Sequence, residues 1–462
     1  MSLKLRNTLT RRLEALQPIT PGEVRMYTCG PTVYDTAHIG NMRTFIFEDL
    51  LRRYLLYKGF KVIQVMNITD VDDRTIERAI GEKRPLADLT EHYTQRFRED
   101  ISRLNIQSTE YMPRATEFIP QMVEGIKVLL EKGHAYKTPE GSVFFDVSSY
   151  PAYGQLAHLD PQQLRTGERV VDDNYEKDEA RDFALWKARK PSDGDYAWPS
   201  PWGEGRPGWH MECSIMSTHY LGDHFDIHCG GVDNIFPHHE NEIAQSRCMR
   251  ETPFANLWLH SEHLIVDGQK MSKSLGNCHT LEDVLRQNYS PEAIRYTLLS
   301  THYRQKLNFT FAKVQESQKA LNRLRELVRR LEEVEGTQEE AGIQAPDKAV
   351  EDALDNDLNI SGALGAIFNW ARELFNLLDE HKLSARSAGE SLQALQRYDQ
   401  ILGVIYFNLE AELPDDLAAL IREREEARQA QDWKRADAIR ETFLTRGILL
   451  EDTPTGTIWK KA

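Results

Sequence analysis

Cysteine is scarce in this sequence: Cys29, Cys213, Cys229, Cys248 and Cys278 are the whole complement in 462 residues. So odd and sparse a set excludes a disulfide framework as the source of stability. Each thiol is then either a small buried apolar side chain or a ligand or nucleophile. Long hydrophobic runs are also missing. No stretch approaches the ~20 residues that a membrane helix needs, and Met1 to Thr10 is polar, without the apolar core of a signal peptide. These absences predict a cytoplasmic protein that does not engage a membrane. Positive charge is in deficit, with 57 Lys and Arg against 72 Asp and Glu and a net charge of −15. That balance argues against a nonspecific nucleic-acid binder. It leaves room for local basic stretches such as Arg422 to Arg446, where Arg and Lys alternate with acids. What remains is an ordinary globular mixture, 40% hydrophobic and 28% charged, in a chain long enough for roughly two to four domains.

The first 80 residues read as a β-α-β unit. Val24 to Cys29 predicts a strand, followed by a polar loop containing Gly30, Pro31 and Gly40. From Asn41 to Tyr57 the apolar residues Phe45, Leu50, Leu51, Tyr54 and Leu55 fall at helical spacing. Gly59 stops that helix, and Lys61 to Thr69 predicts a second, buried strand. The order strand, loop, helix, strand implies an α/β fold with a parallel sheet whose strand ends carry ligands. Residues 113–206 mix strands and loops, with a hairpin signal at Pro139-Glu140-Gly141, and read as an insertion. Sheet character returns at Phe225 to His228 and at Leu257 to Val266, ending on the turn Asp267-Gly268. Beyond Tyr303 the pattern becomes helical: Lys313 to Val334, Ile360 to Leu378, Leu392 to Leu409, and a last pair over Leu417 to Leu444.

Two short motifs suit phosphate chemistry. His38-Ile39-Gly40-Asn41 stands between a strand and a helix. Unpaired N–H groups and the helix dipole attract phosphate there, and Gly40 lets backbone approach a ligand. An imidazole adds a hydrogen bond to a phosphoryl transition state. Taken alone, the motif fits an ordinary loop histidine before a helix better. Lys270-Met271-Ser272-Lys273-Ser274, then Leu275-Gly276-Asn277, forms a Gly-flanked loop expected to be mobile. Its ammonium groups suit a departing pyrophosphate, though a solvated basic loop would look the same.

A third constellation suits a metal. Cys29 closes the first strand, and Cys213 lies in Gly208-Trp209-His210-Met211-Glu212-Cys213. Phe236-Pro237-His238-His239-Glu240-Asn241-Glu242 follows. Pro237 is a plausible helix start, which makes His238 and Glu242 neighbours one turn apart. Thiolates, an imidazole and a carboxylate suit zinc. Spacing leaves open the alternative of two core thiols and a helix-capping His/Glu pair, with His239 and Glu240 close to the set.

In this order, the two phosphate motifs resemble the paired ATP signatures of class I aminoacyl-tRNA synthetases, with Asn41 where a second histidine is common. The stretches Tyr27 to Asn41, Gly205 to Cys213, His224 to Gln245, Lys270 to Asn277 and Leu450 to Trp459 resemble the cysteinyl-tRNA synthetase family nearly end to end. That resemblance implies a Rossmann-like parallel sheet domain with an insertion, an α-helical bundle and a small C-terminal anticodon-binding domain. The limits it suggests are 1–112 and 207–310 for the halves of the catalytic domain, the second holding the lysine loop. The insertion takes 113–206, the bundle 311–400 and the anticodon-binding domain 401–462.

It further implies one zinc ion per chain on Cys29, Cys213, His238 and Glu242, and catalytic roles for His38, Asn41, Lys270 and Lys273. Mg-ATP would meet Gly30, Pro31, Thr32, His38, Gly40, Asn41, Gly230, Asp233 and the stretch Lys270, Met271, Ser272, Lys273, Ser274. L-Cysteine would meet Cys29, Gly30, Thr69, Trp209 and His228, and Asp233 would hold the adenylate ribose. The tRNA(Cys) anticodon would meet Arg428, Trp433, Asp437, Arg440, Asp452 and Thr457; the alternative for Trp433 is a core anchor. Cys229 departs from the family, which usually has a third glycine there.

Zinc has a physical rationale in such an enzyme. A purely apolar pocket separates isosteres such as serine and cysteine by only about a hundredfold, whereas zinc takes thiolate and lowers a thiol's pKa. A monomeric, cytoplasmic cysteine–tRNA ligase is therefore expected. The alternatives are a ligase joining activated cysteine to an amino sugar, which would share every catalytic motif, and a non-catalytic RNA-binding relative.

Overall fold

A computed structural model of the chain describes residues 2–159, 164–170, 180–272, 275–335, 343–405, 415–429, 432–445, 448–453 and 456–461. Lys273 and Ser274 lie outside them. The chain divides into two compact units, Met1–Ile405 and Tyr406–Ala462.

The centre of the first unit is a four-stranded parallel sheet. Its strands are β1 (Glu23–Thr28), β2 (Lys61–Met66), β3 (Phe225–Gly231) and β4 (Ala255–Ser261), in the order β4-β3-β1-β2. Helix α1 (Ile39–Tyr57) crosses from β1 to β2. Strands buried on both faces read as near-continuous apolar runs, and all seven residues of β3 are buried. The chain leaves β1 on one side for β2 and returns on the other side as β3. Ligands of open α/β sheets bind at such a reversal, at the carboxyl ends of the strands. Cys29, Asn67, Gly230 and Gly231 stand at those ends.

Between β2 and β3 the chain forms the helices Asp73–Glu82, Leu86–Arg103 and Ile119–Glu131. A second sheet then takes Ala135–Lys137, Val143–Phe145, Leu164–Val170, Ala180–Ala188 and Gly205–Pro207. The hairpin signal at Pro139-Glu140-Gly141 is the turn between its first two strands, with Gly141 at φ 92°. Helix α2 (Trp209–Leu221) and helix α3 (Glu240–Arg250) flank β3 and pack on each other.

One expected strand is two. Leu257 to Val266 breaks after Ser261, and Leu264–Val266 joins a separate small sheet with Gln269–Lys270 and Leu307–Phe309. At the break the carbonyls of Glu262 and His263 accept hydrogen bonds from the buried Arg43 guanidinium at 2.8 and 2.6 Å. The His263 carbonyl also accepts from Leu307 N at 3.2 Å, where the parallel pairing of the small sheet begins.

The helices Phe311–Glu332, Asp347–Leu354, Ile360–Asp379 and Ala385–Leu402 follow. A buried charge cluster ties them to the sheet domain. Asp49 of α1 meets Arg53 Nε at 2.7 Å and Arg295 Nη2 at 2.6 Å. Arg295 also donates to Leu402 O at 2.7 Å, and Arg53 to Asn105 O at 2.6 Å and Gln400 O at 3.2 Å. Burial alone would raise the Asp49 carboxyl, but the two guanidinium groups hold it below the usual range. Breaking such a pair strands a buried charge, at a typical cost of ~3–5 kcal/mol.

The second unit holds the helices Asp415–Gln429 and Trp433–Thr445 and the hairpin Ile448–Thr453/Gly456–Lys461 around Leu417, Ile439, Phe443 and Leu450. No described helix is long and apolar enough to cross a membrane.

Candidate active site

The two phosphate motifs meet at the start of α1. His38 is its N-cap: His38 Nδ1 accepts from Asn41 N at 3.2 Å, and Asn41 Oδ1 accepts from His38 N at 3.1 Å. Asn41 is thus the reciprocal half of a capping box. The segment after the lysine loop returns to this point. Ile39 N donates to His279 O at 2.9 Å, and His38 pairs with Thr280 as an isolated antiparallel bridge. Lys270 ends a short exposed strand, and Asn277 braces the loop by accepting from Ser272 N at 2.8 Å and donating to Lys270 O at 3.2 Å. Met271 lies over Gly40, where an added Cβ would come within 2.6 Å of Met271 Cε. The structure thus brings together His38, Gly40, Asn41, Lys270, Met271 and Ser272.

The floor is built from the ends of β1 and β2. Gly30 N donates to Asn67 Oδ1 at 3.0 Å, and a Cβ on Gly30 would sit 1.7 Å from Asn67 O. Only glycine allows two strand ends so close. Thr32 pairs with Thr69, and Thr69 N donates to Pro31 O at 3.1 Å. Thr69 Oγ1 receives from Asn67 Nδ2 at 3.1 Å and donates to Glu212 Oε2 at 2.9 Å. At the end of β3, Gly230 lies against the His239 ring, and Gly231 lies against the Asp233 carboxylate.

Behind this floor is a buried cluster in which ligand atoms of Cys29, His238, His239 and Glu242 lie within 4.8 Å of one another. Cys29 Sγ is 3.2 Å from His239 Nε2. The Cys213 thiol stands outside that quartet and donates to Asn67 Oδ1 at 3.8 Å. Glu242 Oε1 lies 3.1 Å from His238 Nε2 and 3.9 Å from His239 Nε2, yet it has no hydrogen-bond partner. A buried carboxylate oxygen turned toward two imidazoles and a thiol without bonding to any is a donor set that fits a cation.

Protonation follows burial here. It pushes the Cys29 and Cys213 thiols up, and it holds His238 and His239 well below the usual imidazole range. Neutral imidazoles are the form a metal takes. Burial also raises Glu242, against the lowering effect of His228, whose Nε2 lies 2.9 Å from Glu242 Oε2. Second partners orient the rings. His238 Nδ1 meets His210 Nδ1 at 2.8 Å, and His239 Nδ1 meets His260 Nε2 at 2.8 Å. Trp209 stacks on His238 with centroids 3.9 Å apart, and His228 stacks on Trp258 at 4.6 Å.

His239 was near the expected set because it adjoins His238. His210 and Glu212 lie in the motif around Cys213 without a role read for them, and Asn67 and His260 carry no signal in the sequence. Cys229 is buried and its carbonyl accepts from Cys29 N at 3.3 Å.

In the second unit Trp433, Asp437 and Arg440 are exposed and share one face of their helix. Trp433 is 58% exposed and is not part of the unit's core, which removes the core-anchor alternative. Asp452 and Thr457 are register partners in the hairpin.

A parallel sheet reversed beside its first strand, with two phosphate motifs at the strand ends, defines the catalytic domain of a class I aminoacyl-tRNA synthetase. The family model for the class I (C) catalytic domain of tRNA synthetases matches residues 15–319. A DALR domain matches 349–406, and a cysteinyl-tRNA ligase anticodon binding domain matches 410–459. A cysteine–tRNA ligase of Protochlamydia amoebophila is 47% identical, covering 99% of this chain and 98% of that protein. One of Brachyspira hyodysenteriae is 46% identical over 98% of each. The fold is also that of a methionyl-tRNA synthetase of Mycobacterium tuberculosis solved with methionyl-adenylate, with TM-score 0.61 and 14% identity over 82% of this chain and 92% of that one. The chain belongs to the cysteine–tRNA ligase family.

Proposed function

We propose that this chain activates L-cysteine with Mg-ATP as an adenylate and transfers it to the 3′ end of tRNA(Cys), acting in the cytoplasm. The observation that carries the reading is the convergence of both phosphate motifs and the thiol–imidazole–carboxylate cluster on the carboxyl ends of one sheet. In the first step the cysteine carboxylate attacks the α-phosphate and pyrophosphate leaves. Backbone N–H groups at the start of α1, with His38 and Asn41, take charge on the phosphates, and Lys270 and Lys273 take charge on the departing pyrophosphate. Asp233 holds the ribose, and Gly30 and Thr69 fix the amino acid between the strand ends. In the second step the terminal ribose hydroxyl of tRNA attacks the adenylate carbonyl. No protein nucleophile is required; positioning and charge supply the rate.

Zinc fits the donor set of Cys29, Cys213, His238 and Glu242. Thiolate and imidazole both suit zinc; with Cys213 as the fourth ligand, His239 holds Cys29 from outside, braced by His260. When bound, zinc supplies a thiolate-selective Lewis acid that favours cysteine over serine. Trp209, stacked on His238, closes the side of that pocket. Arg428, Trp433, Asp437, Arg440, Asp452 and Thr457 read the anticodon by stacking and hydrogen bonds.

The test is cysteine-dependent ATP–pyrophosphate exchange, followed by charging of tRNA(Cys), on protein assayed for zinc. Exchange without charging, together with acceptance of an amino sugar, would transfer the assignment to the amino-sugar ligase. Absence of exchange would leave the RNA-binding relative.

A further inference from the structure

Arg43 is a cation inside the fold, 2% exposed, on α1 one turn past Ile39. It donates to backbone carbonyls only: Glu262 at 2.8 Å, His263 at 2.6 Å, His302 at 3.4 Å and Gln305. These come from the two chain segments that lead into the small sheet bearing Lys270, one from the strand Ala255–Ser261 of the central sheet and the other from the helix Pro291–Leu299. Leu264–Val266 pairs with Gln269–Lys270 on one side and with Leu307–Phe309 on the other. The opposite end of the same excursion also returns to α1, where Ile39 N holds His279 O and His38 pairs with Thr280. Both roots of the lysine loop are therefore tied to the first turn and a half of a single helix. At a rise of about 1.5 Å per residue the two attachments are some 6 Å apart along its axis. Burial lowers the guanidinium to about 10, so it stays charged at neutral pH.

We propose that Arg43 is a positioning residue that fixes the stem of the lysine loop, and so sets where Lys270 stands relative to His38. A planar fork with five donors can hold carbonyls from two segments at once. A lysine ammonium, a compact charge with three donors, cannot span them in the same way. A drift of about 1 Å in a catalytic group's position costs up to ~10²-fold in rate.

This rests on the role given above to Lys270, and a double-mutant cycle separates the two claims. Single-turnover cysteinyl-adenylate formation is measured on the zinc-replete full chain for the parent, Arg43→Lys, Lys270→Ala and the double variant. Arg43→Lys should slow the step about 10- to 100-fold, with equilibrium cysteine affinity and zinc content unchanged. In the Lys270→Ala background the same substitution should cost much less, because a residue that acts through the loop has little left to position. Losses that multiply, or Arg43→Lys at the parental rate, overturn the proposal. Lys270→Ala at the parental rate overturns the role of Lys270 instead.

Hydrogen exchange on the parent gives a second measurement that needs no variant. Amides of residues 262–266 and 302–307 should be protected to the same degree as α1, while those of 267–272 exchange faster. A stem that exchanges together with the loop refutes the proposal.

Discussion

Replacing Gly30 by alanine adds one methyl group at the tightest point of the proposed site. The new Cβ would lie 1.7 Å from Asn67 O and 2.8 Å from Asn67 C, where real Cβ contacts essentially never come under 3.0 Å. The obstacle is backbone at the end of β2, not a side chain that can swing aside, so the ends of β1 and β2 must part by more than an ångström. That displacement stretches the 3.0 Å bond from Gly30 N to Asn67 Oδ1, and it carries Cys29 and the Pro31–Thr32 segment with it. A misplacement of this size costs roughly 10²-fold in a positioned reaction, or about 2.7 kcal/mol of transition-state stabilisation. Cysteine-dependent pyrophosphate exchange should fall by that factor, and zinc content should fall too because Cys29 moves. Gly365→Ala is the internal control. It lies mid-helix with nothing within 4 Å of the added carbon, so it should leave exchange intact and stabilise the fold by about 0.5–1 kcal/mol. Exchange by Gly30→Ala within about threefold of the parent, with full zinc, would refute the claim that this contact sets the geometry.

Cys213→Ser should lose zinc and cysteine affinity together while ATP binding persists; full zinc by elemental analysis would pass the fourth ligand place to His239. A chain lacking residues 406–462 should keep pyrophosphate exchange and lose tRNA charging. Trp433→Ala should weaken tRNA(Cys) binding by about 1–3 kcal/mol if a base stacks on the exposed ring, and equal affinities would end that assignment. Asp100 is buried with neither oxygen hydrogen-bonded, and burial raises its carboxyl from 3.8 to about 6. The folded state therefore binds the extra proton. The stabilising contribution of that proton is fully present below pH 3.8 and is lost as pH rises through 6. Asp100→Asn should accordingly raise the melting temperature at pH 8, by up to about 3 kcal/mol of stability, and change it little at pH 4. A pH-independent shift would contradict this.

Elements with strong periodicity were legible in the sequence. Phe45, Leu50, Leu51, Tyr54 and Leu55 announce α1, and all of them are buried. The break within Leu257 to Val266 falls where Arg43 of α1 holds the Glu262 and His263 carbonyls, a tertiary contact that the apolar pattern of the strand does not contain. The helix expected over Leu392 to Leu409 runs over Ala385–Leu402 instead. Ser384 caps its start, and Gly403 at φ 64° stops it against Arg53 and Arg295. Those stop residues act through tertiary contacts that no local pattern contains. At the site, Cys29, His238 and Glu242 offer ligand chemistry, but their spacing fits core thiols and a helix cap as well, and the family resemblance is what joins them into one set. The choice between Cys213 and His239 depends on ångström-scale placement, to which residue spacing is blind.

The charge cluster of Asp49, Arg53 and Arg295 has a bearing on how this chain can be taken apart. Its two guanidinium groups grip carbonyls of the helix Ala385–Leu402 and of the loop after Leu86–Arg103, while their shared carboxylate belongs to α1. No seam separates catalyst from bundle. A graft that exchanged the bundle for a foreign one would strip the two guanidinium groups of the Gln400 and Leu402 carbonyls. The division between the two compact units, after Ile405, falls beyond every residue of this cluster.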